Sequence, residues 1–143
     1  MQDIKNTFTY NASTGAIEQA ITGSAASSQE IQLATSGLHL GHGNGGYLCA
    51  VVTEDFTNLT SLNIQLRDAA ATGMGSARVV APSGEIVLAK LKAGKCVLNR
   101  KLPGAEYNEF IDVYFAVTGT NPNAGKIIAW IQESPFDAVE EGF

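Results

Sequence analysis

Residues 109–133 read EFIDVYFAVTGTNPNAGKIIAWIQE and decide the fold class. Apolar residues stand at every second position of the first half, namely Ile111, Val113, Phe115 and Val117. Residues with this spacing share one face of an extended strand. Turn residues follow at 118–125, and a second alternating run covers 126–132. The pattern predicts two β-strands joined as a hairpin, which cannot bury its apolar face without partner strands.

The rest of the chain offers those partners. Residues 60–68 alternate regularly around Leu62, Ile64 and Leu66, and residues 47–54 are apolar on both faces, as in a central strand. Further short runs lie at 16–22, 30–34, 78–81, 85–90 and 96–102, and Pro-Ser-Gly at 82–84 predicts a tight turn between two of them. Strands this short, separated by turn signals, predict an all-β fold, a jelly-roll-like β-sandwich of about eight antiparallel strands.

The 143 residues fit a single domain. We expect its core to occupy about residues 16–133, with an N-terminal arm at 1–15 and an extended C-terminal tail at 134–143. Pro135 ends strand pairing, and apolar residues then alternate with acids. The candidate partner-binding residues are Phe136, Val139, Phe143, Asp137, Glu140 and Glu141. This tail either docks on a neighbouring molecule or folds back on its own subunit.

Composition narrows the function classes. A net charge of −5 with scattered basic residues argues against a sequence-independent grip on nucleic acid. The sequence has no apolar run long enough to span a bilayer and no signal-peptide pattern at its start, so we expect a cytoplasmic origin. Cys49 and Cys96 are therefore predicted to be reduced, buried thiols.

No catalytic, metal or cofactor site is predicted. His39 and His42 lie in a glycine-rich loop, where surface histidines are favoured over a cupin-like metal site. The carboxylates are expected to be mostly solvated rather than paired as a glycosidase dyad. Tyr107, Tyr114 and Trp130 leave open a sugar-stacking platform, and the predicted hairpin places the last two on one face. We favour core positions for that face.

Four segments carry a resemblance to a known family: YLCAVVTE at 47–54, SLNIQLRD at 61–68, LPGAEY at 102–107, and the run 110–132 with its Thr-Gly turn. Over about residues 17–132 the chain resembles the Bbp16-like family of tailed-phage capsid cement (decoration) proteins, typified by the Bordetella phage cement protein. The acidic tail and the His-Gly loop depart from the pattern.

The resemblance implies a jelly-roll protein on the outside of an icosahedral head that clamps neighbouring major capsid protein subunits. It implies a non-enzymatic virion protein, a small homo-oligomer with a dimer favoured, located on the capsid surface after assembly in the host cytoplasm. The alternative from the residues is a carbohydrate- or receptor-binding β-sandwich.

Overall fold

The computed structural model of the chain describes residues 6–33, 46–102 and 107–132. These ranges form nine strands, and every strand pairing is antiparallel. They are β1 (Gln19–Ala20), β2 (Ala25–Ala26), β3 (Ile31–Gln32), β4 (Tyr47–Glu54), β5 (Leu59–Ala69), β6 (Arg78–Val87), β7 (Cys96–Lys101), β8 (Phe110–Gly119) and β9 (Lys126–Gln132). A 3-10 turn, Leu88–Lys90, follows β6. The predicted all-β class is confirmed, although three of the strands contain only two residues.

The strands form two sheets. The four-stranded sheet has the order β1-β9-β4-β7, and the five-stranded sheet has the order β2-β8-β5-β6 with β3 also paired to β8. The last two described strands thus lie between earlier ones, β9 between β1 and β4 and β8 between β2 and β5. This strand order is compatible with the predicted jelly roll.

One apolar core lies between the sheets and takes side chains from both. The alternating apolar positions of β5 and β8 face this core: Leu62, Ile64, Leu66, Ile111, Val113 and Phe115 are fully buried, and Val117 is partly buried against it. On β9 the side chains in the core are Ile127, Ala129 and Ile131. Strand β4 is central, as predicted. Its Leu48, Ala50 and Val52 enter this core, while Cys49 and Val51 pack with Trp130 on the opposite side of the sheet.

The predicted hairpin is wrong, although both of its strands exist. β8 pairs with β2, β3 and β5 in one sheet, whereas β9 pairs with β1 and β4 in the other. The apolar faces of β8 and β9 cover the same core from opposite sides, so the chain between them crosses from one sheet to the other. Gly125 lies at the end of this crossing segment and has a φ of 141°. Its backbone N–H donates a hydrogen bond to Glu54 Oε1 at 2.9 Å. A Cβ at Gly125 would lie 2.5 Å from the Phe56 ring, so glycine is required there.

The predicted tight turn at residues 82–84 is also wrong. These residues lie inside the continuous edge strand β6. The pairing register with β5 shifts between Pro82 and Glu85 and again between Val79 and Ala81. The Ser83 hydroxyl accepts a hydrogen bond from Ile64 N at 2.9 Å, which replaces a backbone partner in the ladder. Proline and glycine are tolerated at a β-bulge in an edge strand. The turn-like residues therefore form a bulge here, and the chain does not reverse direction.

The core begins earlier than predicted. Phe8 is fully buried in the main core, and Thr7 and Thr9 beside it are also buried. Phe8 N donates to Ala129 O at 2.8 Å, and Thr9 Oγ1 accepts from Ala129 N at 3.2 Å. The expectation of an arm over residues 1–15 is therefore wrong for this segment, which is tied to the side of β9.

Neither cysteine forms a disulfide, as predicted, and the prediction of a buried thiol is confirmed for Cys49. Cys49 is buried and Cys96 is half-buried, and burial raises the pKa of the Cys96 thiol. In the described part of the chain, no helix has the length and apolar character needed to cross a membrane.

Candidate interaction surface

The predicted partner-binding residues lie outside the described ranges. Phe136, Asp137, Val139, Glu140, Glu141 and Phe143 all belong to residues 133–143. His39 and His42 are likewise outside the described residues. Among the residues that are described, no group of three or more His, Cys, Asp or Glu side chains could hold a metal ion. A candidate surface must therefore be built from the two sheets.

The five-stranded sheet has one face on the core and one face turned away from it, which we call the outer face. Residues that are cross-strand partners share a face, so the register places the outer-face residues in three rows. The rows are Ser61, Asn63, Gln65 and Arg67 on β5, Val79, Glu85 and Val87 on β6, and Asp112, Tyr114 and Thr118 on β8.

A bidentate ion pair occupies one end of the outer face. Arg67 Nε donates to Asp112 Oδ1 at 2.9 Å, and Arg67 Nη2 donates to Asp112 Oδ2 at 2.6 Å. The two side chains are only 18% and 4% exposed, and the guanidinium lies over the Tyr114 ring with its carbon 4.8 Å from the centroid. These hydrogen bonds raise the pKa of the Arg67 guanidinium. Both charges are thus neutralised and fixed in position on the sheet.

A second bidentate ion pair, between Asp68 of β5 and Arg78 of β6, lies next to the first. The Asp68 carboxylate is fully buried and accepts from Arg78 Nε at 2.9 Å, from Arg78 Nη2 at 2.8 Å and from Asn108 N at 2.8 Å. Burial alone would raise the pKa of Asp68, but the hydrogen bonds from Arg78 and Asn108 outweigh it and hold this pKa below the ordinary value. The three hydrogen bonds therefore hold the buried Asp68 carboxylate in its charged form and in a fixed position.

A hydrogen-bonded carboxylate marks the other end of the outer face. Glu85 Oε1 accepts from the Ser61 hydroxyl and from Thr118 Oγ1, the latter at 3.1 Å. The bond from Ser61 lowers the pKa of Glu85. These side-chain hydrogen bonds connect three neighbouring strands. Because they already fix the rotamers of the three side chains, binding a partner would cost little additional side-chain entropy.

Exposed apolar side chains lie beside these polar groups. Val79 is 46% exposed and Val87 is 48% exposed, at the two ends of edge strand β6. The outer face thus combines paired charges, a tyrosine ring beneath an arginine, and two exposed valines at opposite ends of β6.

The aromatic platform considered from the sequence does not form. Tyr114 and Trp130 lie in different sheets, so the prediction that they share a face is wrong. Trp130 is 3% exposed, packs with Cys49 and Val51, and donates from Nε1 to Gln132 Oε1 at 2.7 Å. The favoured core position is confirmed for Trp130, whose ring is covered where a sugar would need to stack. It is wrong for Tyr114, which is half-buried on the outer side of β8 beneath the Arg67 guanidinium.

Sequence reasoning missed the two arginine–aspartate pairs. The expectation that the carboxylates are mostly solvated is wrong for Asp68 and Asp112, which are both buried. A sequence feature that could have predicted these pairs is the Arg-Asp dipeptide, Arg67 and Asp68, at the end of the most regular strand. Adjacent strand residues face opposite sides, so the dipeptide requires one charged partner on each side of the sheet.

Comparison with known proteins agrees with this architecture. A family model described as Bbp16 matches residues 15–131, a span that contains all nine strands except the last residue of β9. The chain therefore belongs to the Bbp16 family, and this membership suggests a phage-related structural protein. No curated protein matches the chain.

Proposed function

We propose that this member of the Bbp16 family is a cement (decoration) protein that binds the outside of an icosahedral phage head and stabilises contacts between major capsid protein subunits. The observation that carries the proposal is the family match over residues 15–131. The proposed partner is the major capsid protein, and the proposed form is a small homo-oligomer, with a dimer favoured. It acts on the virion surface after assembly in the host cytoplasm, without enzymatic activity, cofactor or nucleic-acid contact.

The physical basis of cementing is mass action. A protein that binds the expanded lattice and not the precursor stabilises the expanded lattice by RT ln(1 + [L]/Kd), about 4 kcal/mol per site at 1,000 Kd. Repetition over many equivalent sites multiplies this effect. A shell covered in this way resists the outward pressure of packaged DNA.

We assign the capsid contact to the outer face of the five-stranded sheet. The charges of Arg67 and Asp112 already neutralise each other, and the Glu85 carboxylate already accepts hydrogen bonds from Ser61 and Thr118, so few polar groups lose their partners when water is excluded. Val79 and Val87 supply exposed apolar area at the same face. Desolvation therefore costs less here than on a surface of unpaired charges.

Binding to two forms of the same shell tests the function. Purified protein is mixed with expanded heads that lack it and with unexpanded procapsids of the phage that encodes it, and bound protein is measured by sedimentation. We expect saturable binding to expanded heads and at least tenfold weaker binding to procapsids. Equal binding to both shells, or binding to neither, contradicts the proposal.

Paired variants test the assigned surface in the same assay. Val79→Glu with Val87→Glu introduces two charges on the outer face and should weaken binding by tenfold or more. Ile17→Glu is the matched control, because Ile17 is a similarly exposed apolar residue, 41%, outside the two sheets. If both variants lose head binding equally, or neither loses it, the outer face is not the capsid contact. The proposed function is then still tested by the comparison of expanded heads with procapsids.

A further inference from the structure

Positive charge is concentrated where the chain passes from one sheet to the other. Five of the nine Lys and Arg residues lie within residues 90–101, and no Asp or Glu occurs from 86 to 105. We call these five residues the basic side: Lys90, Lys92, Lys95, Arg100 and Lys101. All five are exposed, and none forms an ion pair with another described residue, whereas Arg67, Arg78 and Lys126 each do.

The segment between β6 and β7, which carries three of these lysines, is fixed by one buried side chain and by hydrogen bonds. Leu91 is fully buried in the main core, and its carbonyl accepts from Phe56 N at 3.1 Å. Ala93 N donates to Asp55 Oδ1 at 2.7 Å. The exposed lysines therefore stand on an ordered backbone, and little backbone entropy is lost when a partner binds them.

The basic side adjoins the outer face of the five-stranded sheet along edge strand β6. Strand β7 ends the other sheet, and Arg100 Nη1 donates to Pro82 O of β6 at 2.6 Å, so the two edge strands belong to the same side of the sandwich. Lys90 follows the exposed Val87 of β6 by three residues. A partner that covers the outer face as far as β6 therefore meets the basic side next.

The charge of that partner follows from the carboxylates that the protein already uses internally. Seven of the eight Asp and Glu residues in the described ranges form an ion pair or accept a hydrogen bond within their own chain: Glu18, Glu30, Glu54, Asp55, Asp68, Glu85 and Asp112. The described part of a second copy thus offers few uncommitted carboxylates, and a symmetric contact between two basic sides would oppose like charges. Charge complementarity favours the carboxylates of a different protein.

We propose that the capsid contact continues around β6 onto the basic side, and that the major capsid protein presents an acidic patch there. The inference rests on the proposed capsid-binding function and adds to it the charge of the partner surface. Opposite charges at an interface speed association and fix the orientation of the partners. Because the whole protein has a net charge of −5, its one basic side selects which side of the sandwich approaches an acidic patch.

Neutralising the lysines at different salt concentrations tests the proposal in the head-binding assay. The basic-side variant is Lys90→Gln, Lys92→Gln and Lys95→Gln. The control is Ile17→Glu with Lys126→Glu, near the opposite edge of the four-stranded sheet, and it lowers the net charge by the same three units. At low salt we expect the basic-side variant to bind expanded heads about tenfold more weakly than the parent, as for the loss of about three exposed ion pairs. At 1 M salt, where charges are screened within about 3 Å, the difference should disappear.

The possible failures point to different conclusions. Parent-like binding of the basic-side variant at every salt concentration overturns the inference, and so does an equal loss in the control, which would reflect net charge alone. If the variant loses only binding to a DNA duplex, or only a salt-sensitive dimer, the basic side belongs to nucleic acid or to a second copy and the inference is overturned. A parent protein that binds neither expanded heads nor procapsids fails the proposed function itself.

Carbodiimide coupling on decorated heads gives a second measurement with the unaltered protein. The reagent joins a lysine amine to a carboxylate in contact with it, and mass spectrometry identifies the two peptides. We expect Lys90, Lys92 or Lys95 to be joined to Asp or Glu of the major capsid protein, and Lys126 not to be. Capsid products from Lys126 in place of the basic-side lysines assign the contact to the opposite edge and overturn the inference.

Discussion

The buried pair between Arg67 and Asp112 offers the sharpest test of the energetics. Arg67→Met keeps the length of the side chain but leaves the Asp112 carboxylate, 4% exposed, without its two charge-assisted hydrogen bonds. Removing one partner of a buried pair costs about 3–5 kcal/mol. The 18% exposure of Arg67 admits some water, so we expect a loss near the lower limit, about 3 kcal/mol.

Replacing both Arg67 and Asp112 should lower the unfolding free energy much less than replacing Arg67 alone. Arg67→Met combined with Asp112→Leu removes the charge together with its counter-charge, and such replacements are often close to neutral. We therefore expect the double variant to recover most of the loss, which makes the two substitutions strongly non-additive. Lys126→Met is the surface control, because its ion pair with Glu18 spans 4.0 Å between half-exposed side chains and should contribute at most about 0.5 kcal/mol.

Urea unfolding followed by fluorescence of Trp130, the single tryptophan, gives the free energies directly. For a domain of this size, a 3 kcal/mol loss corresponds to a fall in Tm of about 6–12 °C. If Arg67→Met changes the unfolding free energy by less than the surface control Lys126→Met does, the Arg67–Asp112 pair contributes no more than an exposed ion pair and the reasoning is refuted. A double variant as unstable as the sum of the single variants would equally refute the reasoning.

Three further predictions follow from the fold. Asp68 has a depressed pKa in the folded protein, so its stabilisation is present above the unfolded carboxyl pKa, about 3.9, and is lost as pH falls through the folded value. Asp68→Asn should flatten this acid dependence of the unfolding free energy, and an unchanged pH profile would contradict the assignment. Phe8→Ala should cost about 3–5 kcal/mol by urea unfolding, whereas an arm outside the core would tolerate it. Gly125→Ala should lower the Tm by several degrees because its Cβ would meet Phe56, while Gly75→Ala, in open space, should not; equal effects would place the strain elsewhere.

Local alternation was sufficient to predict strands β5, β8 and β9, but it did not reveal the two-residue strand β2 or the continuity of β6. Leu62, Ile64 and Leu66 repeat with the period of an extended chain, and all three are fully buried. Alternation states that a strand has an apolar face, but not which sheet it joins. The segment between Gly119 and Gly125 has the composition of a hairpin loop and nevertheless connects strands in opposite sheets.

The remaining errors have the same origin, because each depends on a contact between residues distant in sequence. Phe8 is an isolated apolar residue in a polar stretch, and it joins the core where its backbone bonds to distant residues, Gln29 and Ala129 of β9. Pro-Ser-Gly at 82–84 has turn chemistry, but its position on a sheet edge makes it a bulge. Arg67 and Asp112 are 45 residues apart, and the β5–β8 register brings them together.

The proposed capsid role is tested most directly by a reconstruction of the native phage particle at a resolution that distinguishes individual β-sandwiches. The account predicts copies of this domain on the outer surface of the shell, each bridging neighbouring major capsid protein subunits through the outer face of the five-stranded sheet. A shell whose exterior carries no such domain, or a particle with the domain only inside the head or on the tail, would contradict it.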